Sequence, residues 1–296
     1  MNYLAWAGTY WTKTKLFRQK IPFIGGLVLN ESCNLACRHC RVANRKIIED
    51  HSFEEAVTGL KTFYGMGIRS VFIEGGEPFL WKDRSATLET VINTARKIGF
   101  RTVSVYTNGT LPLKTNADTI FVSIDGLRES NDKLRGPVYD RIMKNISESE
   151  HPNIIINYTI NAQNSCDIEK FCITIDNIPK IKGVFFYFHT PYYGTDELFI
   201  PLQGKKEIIE KILDLQKKGF RIFNSRSCLK SVAADTWKRP SDICYVYADR
   251  KLYQCCRAFG NEDICRNCGY LGYPEILHIM KLCPDSIIRA LGYISK

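Results

Sequence analysis

The sequence predicts an α/β protein built on a parallel sheet, and three observations carry that prediction. From Phe23 to about residue 223, short apolar runs alternate with longer amphipathic stretches, the pattern of right-handed βαβ units. Nearly every apolar run ends in Gly, Asn, Asp or Ser, and in such sheets ligands collect at the carboxyl ends of the strands. Finally, the composition breaks near residue 225: seven of the 12 cysteines fall in the last 71 residues. The expected organisation is a basic aromatic arm over 1–20, an α/β core over 21–225 and a cysteine-rich extension over 226–296.

The bulk composition agrees. A chain of 296 residues with 45% hydrophobic and 24% charged residues suits one large folded domain with an appendage. No apolar run approaches the roughly 18 residues that would span a bilayer, and the N-terminus shows no signal-peptide h-region. The expectation is a cytoplasmic protein, in which abundant cysteine points to metal ligation or redox chemistry rather than a disulfide framework. The net charge of +10 favours an anionic partner such as nucleic acid, a phosphorylated small molecule or a membrane surface. A generally lysine-rich surface explains it equally.

In chain order, Tyr3, Trp6, Tyr10, Lys13 and Phe17 fall near one helical face among Lys13, Lys15, Arg18 and Lys20. That suits either an interfacial helix on anionic lipid or a helix packed on the main domain, with Pro22 ending it. Strands are expected at 23–29, 70–73, 102–106, 119–124, 153–160 and 184–189, with a short last one at 221–223. Helices are expected at 53–66, 85–98, 139–147, 167–175 and 205–218. The loops after the first four strands carry Cys33 to Cys40, Gly75-Gly76-Glu77-Pro78, Thr107-Asn108-Gly109 and Asp125-Gly126. By this topology all four face one rim.

Cys33, Cys37 and Cys40 are spaced CxxxCxxC on the loop after the first strand. Three thiolates on one tight loop suit a soft metal centre, and a four-iron cube so held keeps one iron open. A structural zinc loop fits less well, because no fourth ligand lies at zinc-finger spacing just downstream.

Taken together and in order, CxxxCxxC, Gly75-Gly76-Glu77-Pro78, Tyr106-Thr107-Asn108-Gly109 and Ser123-Ile124-Asp125-Gly126 resemble the radical S-adenosylmethionine (radical SAM) superfamily over about residues 21–225. The resemblance implies a partial (β/α)6 TIM-like barrel with the cofactors at the strand C-terminal rim. It implies that Cys33, Cys37 and Cys40 ligate a [4Fe-4S] cluster, with His39 where the family places an aromatic residue near the adenine. It implies that Gly75, Gly76, Glu77 and Pro78 form the receptor of the methionine amino group; glycines allow close backbone approach and a carboxylate adds opposite charge. Asn108, Ser123, Arg135 and Asn161 are the implied contacts to ribose and carboxylate, with loop capping as the alternative reading. The implied reaction is reductive cleavage of S-adenosylmethionine to a 5′-deoxyadenosyl radical that takes a hydrogen atom from, or adds to, the substrate. Glu74 departs from the family's small or apolar residue, as a substrate contact or the partner of a nearby lysine. Phe185 to Phe188, with Tyr192 and Tyr193, either line a dry pocket or belong to the core.

In the extension, Cys244 to Cys256 reads as a hairpin turning at Ala248 to Lys251, and Cys265-Arg266-Asn267-Cys268 as a metal-clipping knuckle. This resembles the shortened SPASM/twitch auxiliary-cluster extensions of radical SAM enzymes. The candidate ligands are Cys244, Cys255, Cys256, Cys265 and Cys268, with Cys228 and Cys283 in reserve. Cys255 and Cys256 cannot easily serve one cube together, since neighbouring strand side chains point to opposite faces. A zinc site from the same thiols is the alternative. Cys166 and Cys172 read as small buried apolar residues. The arm and the late Cys-x-x-Cys-Gly-Tyr also resemble, more loosely, radical SAM enzymes of hopanoid and isoprenoid-lipid biosynthesis. The substrate class is therefore open between an isoprenoid or other lipid and a peptide. The expected partners are a reductant such as ferredoxin or flavodoxin, the substrate, and an anionic membrane touched peripherally; no nucleic-acid-binding motif is evident. A non-catalytic iron–sulfur carrier or a zinc-stabilised binding module is the competing function.

Overall fold

The computed structural model describes residues 3–41 and 50–294. Six parallel strands follow the expected alternation: β1 Ile24–Asn30, β2 Ser70–Gly75, β3 Thr102–Thr107, β4 Thr119–Ser123, β5 Ile154–Ile160 and β6 Ile181–Phe188. The C-terminal hairpin, β7 Cys244–Ala248 and β8 Lys251–Gln254, joins the same sheet. The order is β8-β7-β1-β2-β3-β4-β5-β6. β7 runs parallel to β1, with Ile24 opposite Cys244 and Leu27 opposite Tyr247. Among the described residues the sheet stays open between β8 and β6, a partial barrel rather than a closed one.

The helices are α1 Tyr3–Trp11, α2 Phe53–Gly65, α3 Leu88–Ile98, α4 Arg128–Arg135, α5 Tyr139–Glu148 and α6 Ile168–Asp176. They continue with α7 Leu202–Lys217, α8 Arg226–Ala233, α9 Glu262–Arg266, α10 Gly272–Met280 and α11 Pro284–Ile294. Local chemistry sets their ends. Ser52 accepts from the Glu55 N–H at 3.2 Å while Glu55 accepts from the Ser52 N–H at 2.8 Å, a full capping box for α2.

Three expectations change. The arm is α-helical only to Trp11 and then takes a π-helical turn over Thr12–Leu16. The strand expected at 221–223 is a single bridge, Val184 to Ile222, because Gln216 and Asn224 side chains take over neighbouring backbone groups. In the extension, α8, α10 and α11 pack on one another beside the hairpin's sheet strand, which the cysteine spacing alone did not foretell. The expected hairpin turn is present: Asp249 and Arg250 sit at φ 51 and 57, the paired positive angles that a tight two-residue connection needs.

Strand periodicity divides the core. On β3, Val103 and Val105 face the layer of α2 and α3, where Leu60, Phe63, Val91 and Ile92 are fully buried. Ser104 and Tyr106 point the other way, into the lumen. The lumen holds two cavities in series. One, of about 320 Å³, lies at the strand C-terminal ends; the other, of about 800 Å³, lies at the strand starts. They share Phe72, Tyr106, Tyr187, Tyr270 and Tyr273 as a common aromatic wall, tied by a 3.1 Å hydrogen bond between the Tyr106 and Tyr187 hydroxyls.

Candidate active site at the strand C-terminal rim

Cys33, Cys37 and Cys40 all line the upper cavity. Their loop is fixed at its start by the Asp50 carboxylate, which accepts from the Glu31 and Ser32 N–H groups at 2.8 and 3.0 Å and from the Ser32 hydroxyl at 2.7 Å. Further along, the Arg38 N–H donates to the Leu134 carbonyl at 2.9 Å. The thiols have donors aimed at them: the Asn108 amide stands 3.7 Å from Cys33 Sγ and the Arg135 guanidinium 3.9 Å from Cys37 Sγ. Burial pushes the Cys37 thiol up to about 11, against the pull of Arg135. Burial also raises Cys33. Two thiols disfavoured as free anions, beside a buried cation and an amide donor, fit a charged cluster that takes up their protons' place.

Behind this loop lies a buried network. Arg135 Nε donates to Asp125 Oδ2 at 2.6 Å, and His39 Nε2 lies 3.3 Å from the same oxygen. Asp125 Oδ1 accepts from the Thr159 N–H at 2.7 Å. Burial pushes His39 down to about 4, so the ring is neutral at pH 7. Arg135 is carried by α4, a helix of almost wholly polar sequence whose Asn131, Leu134 and Arg135 are nonetheless buried.

The Gly75-Gly76-Glu77 turn is stitched to the end of β1. Gly76 N–H donates to the Asn30 carbonyl at 2.7 Å and Glu77 N–H to the Ser32 carbonyl at 2.9 Å. A Cβ on Gly75 would stand 2.2 Å from the Asn30 carbonyl oxygen, and one on Gly76 2.2 Å from that of Ser32. The close approach that demands glycine is thus to the cysteine-loop backbone. Glu77 is fully buried; its oxygens accept from the Thr107 hydroxyl and the Asn108 N–H, both at 2.7 Å, and from the Phe79 N–H at 3.1 Å. Glu77 and Pro78 do not line the cavity, whereas Gly75 and Gly76 do. In this structure the Glu77 carboxylate, expected to meet an ammonium, locks two rim loops together.

Asn108, Ser123 and Arg135, the expected contacts to ribose and carboxylate, line the cavity. Asn161 does not: it is fully buried, and its Oδ1 accepts from the Gln163 N–H at 2.9 Å, which makes it a loop cap. Glu74 does line the cavity. Burial raises its carboxyl, and the charges that lower it are Arg257 and Arg41 rather than a lysine. Tyr192 lines the same space with Arg41 5.5 Å from its ring, while Tyr193 is exposed. Phe188 and Tyr187 face this cavity, Phe185 faces the lower one, and Phe186 belongs to the core. Asn157, Thr159 and His189 also face it without having been singled out in the sequence. Thr159 and His189 sit at strand ends, which was the available signal, whereas Asn157 lies in the middle of β5.

The second cysteine set reaches the same cavity. Cys255, Cys256, Cys265 and Cys268 line it, and Cys244 does not. A hydrogen bond from the Cys255 thiol lowers Cys256 and raises Cys255. Cys244, Cys265 and Cys268 each carry a charge interaction with Cys256, which is the hub of the set. Among the described residues no three histidine, cysteine or carboxylate side chains close on one point, at either set, as a single ion would require. The reserves lie elsewhere. Cys228 is buried with its thiol 3.6 Å from the Leu271 carbonyl, and Cys283 pairs with His278 Nδ1 at 3.4 Å. Cys172 is buried as expected, but Cys166 is exposed, because it falls in the 3-10 turn before α6 rather than on its inner face.

Comparison with known proteins bears on this geometry. The chain is 31% identical over 215 residues to Fe-coproporphyrin III synthase of Methanosarcina barkeri, 65% of this chain and 52% of that protein. It thus spans about half the length of that relative. It is 29% identical over 218 residues to a probable GTP 3′,8-cyclase of Saccharolobus islandicus, 66% of this chain and 68% of that one. Streptococcus suis SuiB bound to S-adenosylmethionine shares the fold with a TM-score of 0.62 at 18% identity, covering 88% of this chain and 67% of that one. The model of the Radical SAM superfamily matches residues 27–175, from the first strand through α6. This chain, with three rim cysteines on an open parallel barrel, belongs to the radical SAM superfamily of enzymes.

Proposed function

We propose that Cys33, Cys37 and Cys40 hold a [4Fe-4S] cluster with S-adenosylmethionine beside it, and that a hydrogen atom is taken from a substrate lodged in the upper cavity. The observation that carries this reading is that both cysteine sets line one cavity. When bound, the cluster and S-adenosylmethionine supply a one-electron cleavage that yields the 5′-deoxyadenosyl radical. The chain's own residues do the rest. Gly75 and Gly76 present backbone to the cofactor's amino group, Asn108 and Ser123 face its ribose, and His39 offers a neutral ring to the adenine. Arg135 offsets thiolate charge while anchored on Asp125.

A second cluster on Cys256, Cys265 and Cys268, with Cys255 rather than Cys244 as the further ligand, is supported by their shared lining of the cavity. Lys205, buried and pushed down to about 8 by that burial, lies beside Cys268 together with Arg239, a cationic surround that suits an anionic cluster. The aromatic walls exclude water from the substrate, and Glu74 between Arg41 and Arg257 is the polar group placed to orient it. A ferredoxin or flavodoxin would supply electrons in the cytoplasm. The basic arm supports peripheral contact with anionic lipid. The same extent of core and extension, 21–225 and 226–296, serves as one catalytic unit, since β7 pairs with β1.

Anaerobic reconstitution with iron and sulfide, then dithionite and S-adenosylmethionine, tests the reading. The wild type forms 5′-deoxyadenosine and a Cys33/Cys37/Cys40→Ala variant falls to background. A reconstituted wild type that forms none would return the protein to the class of carriers or binding modules.

A further inference from the structure

The chamber of about 800 Å³ at the strand starts has the size of a ligand pocket, and no step above uses it. Its walls are Phe23, Phe100, Phe121, Phe185, Ile276 and Ile279. The polar lining is hydroxyl groups at or near strand starts, such as Ser70, Thr102 and Ser104, with Arg101, Asp118 and Glu275 as the ionisable groups. Asp118, also at its edge, already accepts from the Val103 N–H at 2.8 Å and faces Arg96 at 3.2 Å. The continuous aromatic and aliphatic walls favour an apolar chain over a polar one. The tyrosine wall it shares with the upper cavity places the inner end of any long guest next to the reaction space.

The approach to the chamber has its own chemistry. Trp6 and Tyr10 of α1 pack on Phe23 with ring centroids 5.9 and 5.5 Å away. The Tyr10 hydroxyl donates to the Ile21 carbonyl at 2.8 Å and reaches the Met280 sulfur at 3.9 Å. Just beyond this anchor, Leu16 and Phe17 are 73% and 65% exposed, and Leu282 is 50% exposed two residues past Met280. Lys13, Lys15, Arg18 and Lys20 flank the first pair, all exposed, and the first acidic residue of the chain is Glu31. Adjacent exposed apolar side chains set among cations match the headgroup–acyl boundary of an anionic bilayer.

We propose that this end of the barrel takes up a lipid: the aromatic chamber holds a long hydrocarbon chain, and the arm holds its mouth against an anionic membrane. The proposal builds on the membrane reading of the arm and adds the chamber as the site of the chain. cis-Parinaric acid, a fluorescent polyene fatty acid, probes the chamber in the reconstituted full chain. Saturable fluorescence enhancement at one probe per chain is expected. Two independent plugs, Ser104→Phe and Ile276→Trp, should each weaken it at least about tenfold; an absent signal, or folded plugs that bind like wild type, overturns the chamber. Flotation with phosphatidylcholine vesicles, with and without phosphatidylglycerol, probes the arm separately. The wild type should float with the anionic vesicles, and Lys13→Glu/Lys15→Glu/Leu16→Ser/Phe17→Ser should lose roughly tenfold or more of that binding while keeping its parinaric signal. A wild type that binds the probe but floats with neither vesicle type overturns the membrane-facing mouth and leaves the chamber standing.

Discussion

The two cysteine sets line one cavity but are carried there in different ways. Cys33, Cys37 and Cys40 come from a single eight-residue loop whose geometry follows from sequence spacing, and rim contacts hold it from outside. Cys255, Cys256, Cys265 and Cys268 come from the end of β8 and from α9 with its exit, and they reach the first set's cavity because β7 adds to β1. Removing a local set therefore removes chemistry, whereas disturbing the second set also tests long-range packing. The two should respond differently to substitution.

The largest difference is expected in metal content. Cys256→Ala or Cys268→Ala should lose the second set's metal and keep about four irons at the first. Cys244→Ala should retain both sets, since Cys244 is buried behind the cavity wall and does not line it. Iron and sulfide counting on anaerobically reconstituted protein reads this directly. Loss of metal in Cys244→Ala would make the hairpin's first cysteine a ligand, and four thiolates holding zinc rather than iron would break the symmetry between the sets.

Next in size is the buried pair behind the first set. Arg135 and Asp125 side chains are 7% and 0% exposed, so Arg135→Met strands a buried carboxylate. A loss of about 3–5 kcal/mol is expected, measured as a shift in the urea midpoint. Replacing both partners, Arg135→Met with Asp125→Leu, should recover much of that stability, because two apolar groups leave no unpaired charge. It should not recover cofactor-dependent chemistry, since Arg135 also faces Cys37. A double variant as unstable as the single one would mean that the Thr159 N–H to Asp125 bond matters more than the ion pair.

The sequence made the first set legible because spacing, the glycine turn and Thr-Asn-Gly are all local signals. What it could not carry was partner choice. Glu77 is a carboxylate in the right loop, yet three donors from its own surroundings engage both oxygens. Asn161 has the right residue type at a strand end, but its side chain turns back to cap its own loop. The helix α4 escaped periodicity because its sequence, Arg128 to Arg135, has one apolar residue, Leu134; it is held by Asn131, Leu134 and Arg135 packing inward. Glu74 was visible as an anomaly, and only the fold shows arginines rather than a lysine around it. The union of β7 with β1 joins residues more than two hundred positions apart, beyond any local pattern.

The smallest expected effect concerns how the second set's scaffold is fastened. Glu275 on α10 is 3% exposed, and its Oε2 accepts from the Ser225 N–H at 3.0 Å. Burial raises this carboxyl to about 7 from an ordinary 4.5. Below the lower value both folded and unfolded chains are protonated there, so the group contributes no pH dependence. Between the two values the folded chain holds a proton that the unfolded chain releases, so stability falls as pH rises. Above the upper value the cost is complete, at most roughly 3 kcal/mol. Glu275→Gln keeps an acceptor for Ser225 and cannot ionise. Its melting temperature should therefore decline less than that of the wild type between about pH 5 and 7. No corresponding change should appear in the first set's iron content, because Glu275 lies outside the upper cavity. Parallel wild-type and variant profiles would show that Glu275 is solvated in solution and that α10 is fastened to α8 by packing alone.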